Sequence, residues 1–371
     1  MRLHTLILAL VAAGALLDAG VTCTASNASI DSAFSTPPYL ALSGYRSKAA
    51  AATAARQIRA TSAYGKRRLY ENWCRRYRKK LDDRRYRAWL SNLDGMVNWN
   101  LRPNPPFLKG MIGLSDYTPA ELARMVMRRS DPSRARTRGG GVSVGAAVAA
   151  AAAIRGSKAD LPNEWNWDKQ GAVSEVRDQT LAGVSRCGGA CWAFAALAAL
   201  ESRARIDGTD RGPDYSEQQV IDCAIEAAGY SSYGCDGGTA EDVFNFASAS
   251  FVAQETGYAP YTARNGNRCR AASTLGAVTV KPSPGFDVVA GNPEAIMRAL
   301  VDAGPLVAYM FVLPPTNPAS FLYYDSVIVG YNRAEKYWIV RNSWGIGWGI
   351  GGYARLEMTD GGSGPCNMKK G

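Results

Sequence analysis

Histidine is almost absent from this sequence: 371 residues contain one, His4. It lies in "MRLHTLILALVAAGALLDAG", where Arg2 precedes a short apolar run from Thr5 to Leu17 and small residues follow through Ala25. That layout is a secretory signal over residues 1–25, so the mature chain keeps no imidazole. No two cysteines form a CxxC pair either, and without histidine or such a pair a zinc site is not expected. No metal and no cofactor is therefore assigned. Long apolar runs are also missing. The signal is too short to cross a bilayer, and "VSVGAAVAAAAAI" (142–154) is only weakly apolar, sits between "GGG" and "RGSKAD", and reads as a linker.

What is present is ordinary globular composition, 47% hydrophobic and 20% charged, in a chain long enough for one sizeable core plus an extra segment. The net charge of +11 hides an asymmetry. From Leu161 onward there are 17 Lys and Arg against 22 Asp and Glu, a net of −5; the first 160 residues hold 26 against 10, a net of +16. A basic half and an acidic half of one chain attract each other as well as outside partners. "RRYRKKLDDRRYR" invites a nucleic-acid reading, but its helical period in an exported chain points to a solvated helix face, and no nucleic-acid partner is assigned.

Residues 26–65 are rich in Ser, Ala and Thr, a low-complexity extension that reads as poorly ordered or loosely helical. From Lys66 to about Asn100 one long helical pattern is expected, with Tyr70, Trp73, Tyr77, Leu81, Trp89, Leu93 and Met96 recurring at three- and four-residue spacings. "RPNPP" breaks it. Thr118, Pro119 and Glu121 then form a capping signature for a new helix. A linker over 126–160 precedes a composition change at "LPNEWNWDKQGAV", where the main domain, 161–371, begins. There Cys191 to Ile206 reads as a buried helix, Ser216 caps a second and "EDVFNFASAS" suggests a third. "AVTV", "PLVAYMFV", "DSVIVGY", "KYWIVRN" and "GGYARLEM" follow as β-rich runs. Helices first and strands second imply an α+β domain of two lobes. Eight cysteines in an exported chain argue for disulfides.

"LPNEWNWDKQGAVSEVRDQ", "CGGACWAFAALAALES", "YSEQQVIDC", "GCDGG" and "YWIVRNSWGIGWGIGGYARL" resemble, in order, the papain (cathepsin L-like) cysteine peptidases. The resemblance spans nearly all of 161–366. It implies a helical left lobe, an antiparallel, barrel-like right lobe, and residues 66–125 as an inhibitory propeptide. In that segment Arg85, Trp89, Asn92, Met96 and Asn100 fall on the family's helical spacing, and Asp116 matches its second motif. Leu81 stands where the pattern has an acid, with Asp82 adjacent. Cys191 corresponds to the nucleophile, and a thiol at a helix N-terminus has its pKa lowered by the macrodipole and unpaired N–H groups. Gln179 matches the oxyanion donor. The extra "TLAGVS" and one added residue between Cys187 and Cys191 must bulge outward for it to serve. Asn342 corresponds to the residue that orients the catalytic imidazole and Trp344 to the ring that shields that bond. Gly237 and Gly238 match the bare backbone along which substrate lies. The resemblance pairs Cys187 with Cys235 and Cys223 with Cys269.

The imidazole itself is missing. Counting back from Gly330 without a gap puts Tyr324 at its position; one gap puts Asp325 there. An aspartate with pKa near 4 or a tyrosine near 10 is a poor base for a thiol. The chain is also shorter than the family pattern between "GPLVAYM" and "VGY", where relatives carry both the histidine and a partner for Cys366. One deletion between Tyr324 and Ser326 accounts for both losses. Two versions stay open: a dead peptidase, or a written chain that has lost a segment through a skipped or misread exon. The family implies a secreted or vacuolar (lysosomal) cysteine endopeptidase made as a zymogen, with a peptide or protein substrate in the groove and its own propeptide as partner. The chain as written is expected to be inactive or nearly so. The alternative is a pseudopeptidase acting as a peptide-binding decoy or inhibitor scavenger.

Overall fold

The computed structural model describes residues 48–103, 109–111, 113–118, 120–121, 160–181, 187–209, 212–266, 268–279, 292–312 and 322–358. The expected signal, Cys366 and most of the linker lie outside them.

Three helices build the N-terminal unit: α1 (Lys48–Ala60), α2 (Ala63–Arg76) and α3 (Asp83–Asn100). The alanine-rich run expected to be loose is α1. Its Ala51, Ala55 and Ile58, spaced on one helical face, are buried, so the helical unit starts ahead of residue 66. The single long helix expected over 66–100 is two helices. Ser62 caps α2 by accepting from Gly65 N–H, and Asp82 caps α3 by accepting from Arg85 N–H. Between them Arg78 adopts a left-handed backbone (φ 51°), and Tyr70 Oη–H donates to Asp82 O across the corner at 3.1 Å. Periodicity persists through this break because Trp73 and Trp89 meet inside one core with Tyr70, Leu69, Leu93 and Met96. Leu81 is left on the outside of the turn.

The family-spaced residues of this unit hold it together. Asn92 Nδ2 donates to Ser115 O and Tyr117 O at 2.9 and 2.8 Å. Asn100 exchanges two hydrogen bonds with the Lys109 backbone. Arg85 bonds Asp116 O and Glu121, and Lys79 pairs with the buried Asp116 at 2.5 Å. Thr118 and Glu121 form the expected reciprocal cap.

The second part has two lobes. In the helical lobe, α4 (Cys191–Ile206) runs through a core completed by α5 (Glu217–Cys223) and α6 (Ala240–Ala249), with Trp192, Phe194, Leu197, Val220 and Val243 inside it. Ser216 caps α5 as expected, and Thr239 caps α6. Both expected disulfides form, Cys187–Cys235 and Cys223–Cys269. The other lobe is an antiparallel sheet of β1 (Glu164–Asn166), β2 (Leu306–Val312), β3 (Leu322–Asn332), β4 (Tyr337–Arg341) and β5 (Tyr353–Glu357), with α7 (Pro293–Ala303) against it. β3 is central: β2 pairs with its first half, β1 with its last three residues on the same edge, and β4 with the other edge. Among the described residues β5 pairs only with β4, so the sheet is open and not a closed barrel. "AVTV" yields no strand there, only a bridge from Val278 to Val252.

The alanines of "AALAAL" explain how the lobes meet. Ala195 and Ala198 of α4 pack on Val327 and Val329 of β3 together with Val173. Small side chains let helix and strand approach closely, and that seam sets the N-terminus of α4 beside the first half of β3.

Candidate active site

Cys191 is the first residue of α4, and the residue before it, Ala190, offers no side-chain cap. The bend into the helix is tied by the Cys187–Cys235 bond. It is also crowded: a Cβ at Gly189 would stand 2.7 Å from Cys235 O. The N–H groups of Cys191, Trp192 and Asp325 are directed at the sulfur and stabilise a thiolate, as expected of a helix start. They do not win. Cys191 is 0% exposed, and burial, followed by the charge of Asp325, pushes its thiol well above the ordinary range. The expected depressed thiol pKa is thus overturned by desolvation, and the thiol is neutral.

The pairing of β2 with β3 fixes where the two candidates for the imidazole's place lie on the strand. Met310 faces Tyr324, Tyr309 faces Asp325 and Ala308 faces Ser326 without a bulge, so the strand passes straight through the point of the inferred deletion. Tyr324 enters the core of the helical lobe. Its Oη lies 2.5 Å from Asn342 Oδ1, 3.1 Å from Gln179 Oε1 and 3.0 Å from Ser343 Oγ. Ser343 Oγ–H donates to Gln179 Oε1 at 2.6 Å, which leaves the tyrosyl proton for Asn342. The indole of Trp344 meets the Tyr324 ring edge-on at 5.2 Å. Tyr324 therefore holds both partners that the resemblance assigns to the imidazole. Burial raises its phenol well above the usual value, so it stays protonated and takes no proton from the thiol.

Asp325 is also buried, and neither carboxylate oxygen has a hydrogen-bond partner. Burial first, and Glu241 second, raise its pKa well above the usual value. A buried carboxyl without hydrogen-bond donors holds its proton more tightly than a solvated one.

Gln179 reaches the site despite the insertion. Leu181 turns outward, 44% exposed, while Gln179 is buried. Its carboxamide is engaged at both ends, with Nε2 donating to Gly188 O at 2.9 Å and Oε1 accepting from Ser343. The Gly188 carbonyl, within "CGGAC", thus accepts from the group expected to donate to an oxyanion. Gly238 is needed for packing: a Cβ there would lie 2.5 Å from the Trp192 ring, whose Nε1 donates to Gly234 O. Gly237 has φ 134°, a conformation open to glycine. Sequence reasoning missed Ser343, inside the quoted "RNSWG", and Tyr77, assigned only to a helical face. Tyr77 Oη–H bridges Met111 O and Gly347 O, both at 3.3 Å, and so joins the N-terminal unit to the loop after Trp344.

Residues 161–371, more than half of the chain, match the profile of the papain family cysteine proteases. The chain belongs to the papain family. Fruit bromelain of Ananas comosus, a relative, is 29% identical over 327 residues, covering 81% of this chain and 83% of bromelain. A recombinant stem bromelain precursor aligns with TM-score 0.61 and 27% identity over 82% of this chain and 96% of its own. The digestive procathepsin L 3 of the Tenebrio molitor larval midgut shares the fold, with TM-score 0.63 and 24% identity over 83% and 97% of the two chains. These matches run beyond 161–371 into the N-terminal helices, so the papain-family fold is present here together with a precursor-like helical unit. No helix among the described residues is long and apolar enough to cross a membrane.

Proposed function

We propose that this chain descends from a secreted or vacuolar cysteine endopeptidase made as a zymogen and that, as written, it does not turn over peptide substrates. Residues 1–25 are its signal, 26–65 an extension whose last part joins the helical unit, 66–125 its inhibitory propeptide, 126–160 a linker and 161–371 the peptidase domain. The observation that carries this reading is the bond from Tyr324 Oη–H to Asn342 Oδ1 beside a sealed, neutral Cys191. In an active arrangement Cys191 attacks the scissile carbonyl as thiolate, an imidazole held by Asn342 takes and returns the proton, and Gln179 donates to the oxyanion. Here a protonated phenol occupies the second role and the Gly188 carbonyl engages the third. Losing general acid–base help alone costs about 10² to 10⁴ in rate.

What remains is Gly238 against Trp192, Gly237 beside it, the two disulfides and Trp344. These favour the pseudopeptidase reading, a decoy for peptides or a scavenger of inhibitors. The test is hydrolysis of a fluorogenic peptide by the full chain before and after acid processing, with alkylation of Cys191 by iodoacetamide alongside. We expect turnover equal to that of Cys191→Ser and slow alkylation. Turnover that Cys191→Ser abolishes would overturn the inactive reading.

A further inference from the structure

Asp325 carries a carboxyl that the fold leaves unused. It is 1% exposed, and among the described residues neither of its oxygens has a hydrogen-bond partner. The charge that acts on it is that of Glu241, another acid, so nothing offsets its own. A buried polar group in this condition costs free energy in the folded state, and a ligand that pairs with it removes that cost. Three elements set its surroundings. β3 alternates, so Tyr324 goes to Asn342 while Asp325, the next residue, meets the start of α4. There its N–H is directed at Cys191 Sγ and its carboxyl opposes a thiolate. Glu241 lies in the first turn of α6 and is exposed. Asp236 is exposed as well, on the backbone that the bend into α4 crosses: a Cβ on Gly189 would stand 2.8 Å from the Asp236 carbonyl carbon.

We infer that the place beside Cys191 takes the cationic side chain of a bound peptide, arginine above all, with Asp325 as its counter-ion; this rests on the peptide-binding reading given above. The chemistry selects the class. Both oxygens of one carboxyl are unpaired, and a planar guanidinium meets two such oxygens with two parallel N–H donors. Its arrival also favours the charged form of the acid. A carboxyl set this deep is reached by a long side chain whose apolar stem is buried behind the charged head. An apolar side chain in the same place leaves both oxygens orphaned. An acidic one adds a like charge to Asp325, Glu241 and Asp236. A metal ion finds no cage, since no three His, Cys, Asp or Glu side chains converge among the described residues. The net −5 of the portion from Leu161 draws cationic peptides toward these lobes.

The test is fluorescence polarisation with a labelled, end-blocked alanine peptide whose central residue is arginine, citrulline or leucine. It is run on the full chain and on the chain after linker cleavage. Citrulline keeps nearly the shape of arginine without its charge. The arginine peptide should bind at least about tenfold more tightly than the citrulline peptide, and Asp325→Asn should remove that difference while melts show the variant folded. A buried pair is screened little, so the difference should persist at about 0.5 M salt. Glu241→Gln, at an exposed position, should weaken the arginine peptide by no more than about threefold, and only at low salt. Arginine and citrulline peptides that bind equally overturn the assignment and leave the peptide-binding reading standing, whereas binding of none of the three in either form overturns both. A preference for arginine that survives Asp325→Asn, or that vanishes with salt, places the attraction on the surface and overturns the role of Asp325.

Discussion

Tyr324→His puts the account of the site to its strongest trial. The phenol lies between Asn342 and Trp344 with its hydroxyl 2.5 Å from the asparagine oxygen. An imidazole is shorter than a phenol but reaches the same neighbourhood, and Asn342 Oδ1 can accept its N–H as it now accepts O–H. The chemical change is large, because an unperturbed imidazole titrates near pH 6.5 while the phenol is raised above its usual 10. General acid–base catalysis is worth about 10² to 10⁴, or about 2.7 to 5.4 kcal/mol of barrier. Gln179 remains bonded to Gly188 and the Asp325 carboxyl still opposes a thiolate, so the gain belongs at the lower end, about 10²-fold over wild type. The substitution also removes part of a buried ring at a cost of about 1–3 kcal/mol, which a melt measures separately. Tyr324→Phe is the control: it deletes the hydroxyl, leaves Asn342 Oδ1 with the Ser343 N–H at 2.7 Å, costs about 1 kcal/mol for the lost hydrogen bond, and should give no turnover. Hydrolysis of a fluorogenic peptide from pH 4 to 8 is the assay, and a gain confined to the histidine variant and lost on adding Cys191→Ser is the expected result. A folded Tyr324→His protein with no more activity than Tyr324→Phe would refute the claim that Tyr324 holds the base's place.

Asp325→Asn should raise the melting temperature at neutral pH and flatten its pH dependence. The folded-state pKa of Asp325 is raised, so the native state binds more protons than the unfolded one; stability is full below the unfolded value near 3.9 and falls as pH rises from there toward the folded value. A wild-type melt that does not fall over that range more than the variant's would contradict this. Replacing Cys187 and Cys235 together by serine should cost up to about 4 kcal/mol, since the bond closes a sequence separation of 48, and a denaturant midpoint unchanged from wild type would show that the bond is dispensable. Lys79→Met strands the carboxylate of Asp116 in a buried place and should destabilise the N-terminal unit by about 3–5 kcal/mol, read as earlier hydrogen exchange in α2 and α3. Tyr77→Phe loses the bond to Gly347 O and should weaken retention of the N-terminal unit after linker cleavage by about 3- to 10-fold, measured by gel filtration of the nicked protein.

The parts of the molecule that were legible in the sequence are those fixed by local chemistry. Ser216 and the Thr118–Glu121 pair act as caps because a short polar side chain has few other uses at a helix start. The disulfide pairs and the general position of Cys191, Gln179, Asn342 and Trp344 followed from motif resemblance. The break at Arg78 was hidden because the residues on either side of a tight turn can share one core and keep a helical rhythm. The choice between Tyr324 and Asp325 was hidden because a sequence gap shifts by one residue what strand pairing fixes; alternation along β3 sends one side chain to Asn342 and the other elsewhere. The protonation of the site was illegible for a different reason. A helix start argues for a thiolate and an aspartate for a negative charge, but both arguments assume a solvated group, and Cys191 and Asp325 are buried.

Gly347 lies five positions after Asn342, on the same short loop that carries Trp344 and Trp348. The loop therefore reports in two directions. At one end it holds the Tyr324 ring through Asn342 and Trp344; at the other it is gripped by Tyr77 from the N-terminal helices. Its two indoles stand edge to face at 6.0 Å between these attachments, so in a chain whose other seven tryptophans are replaced by phenylalanine their fluorescence gauges the whole assembly. Release of the helical unit and any rearrangement around Tyr324 should register in one signal.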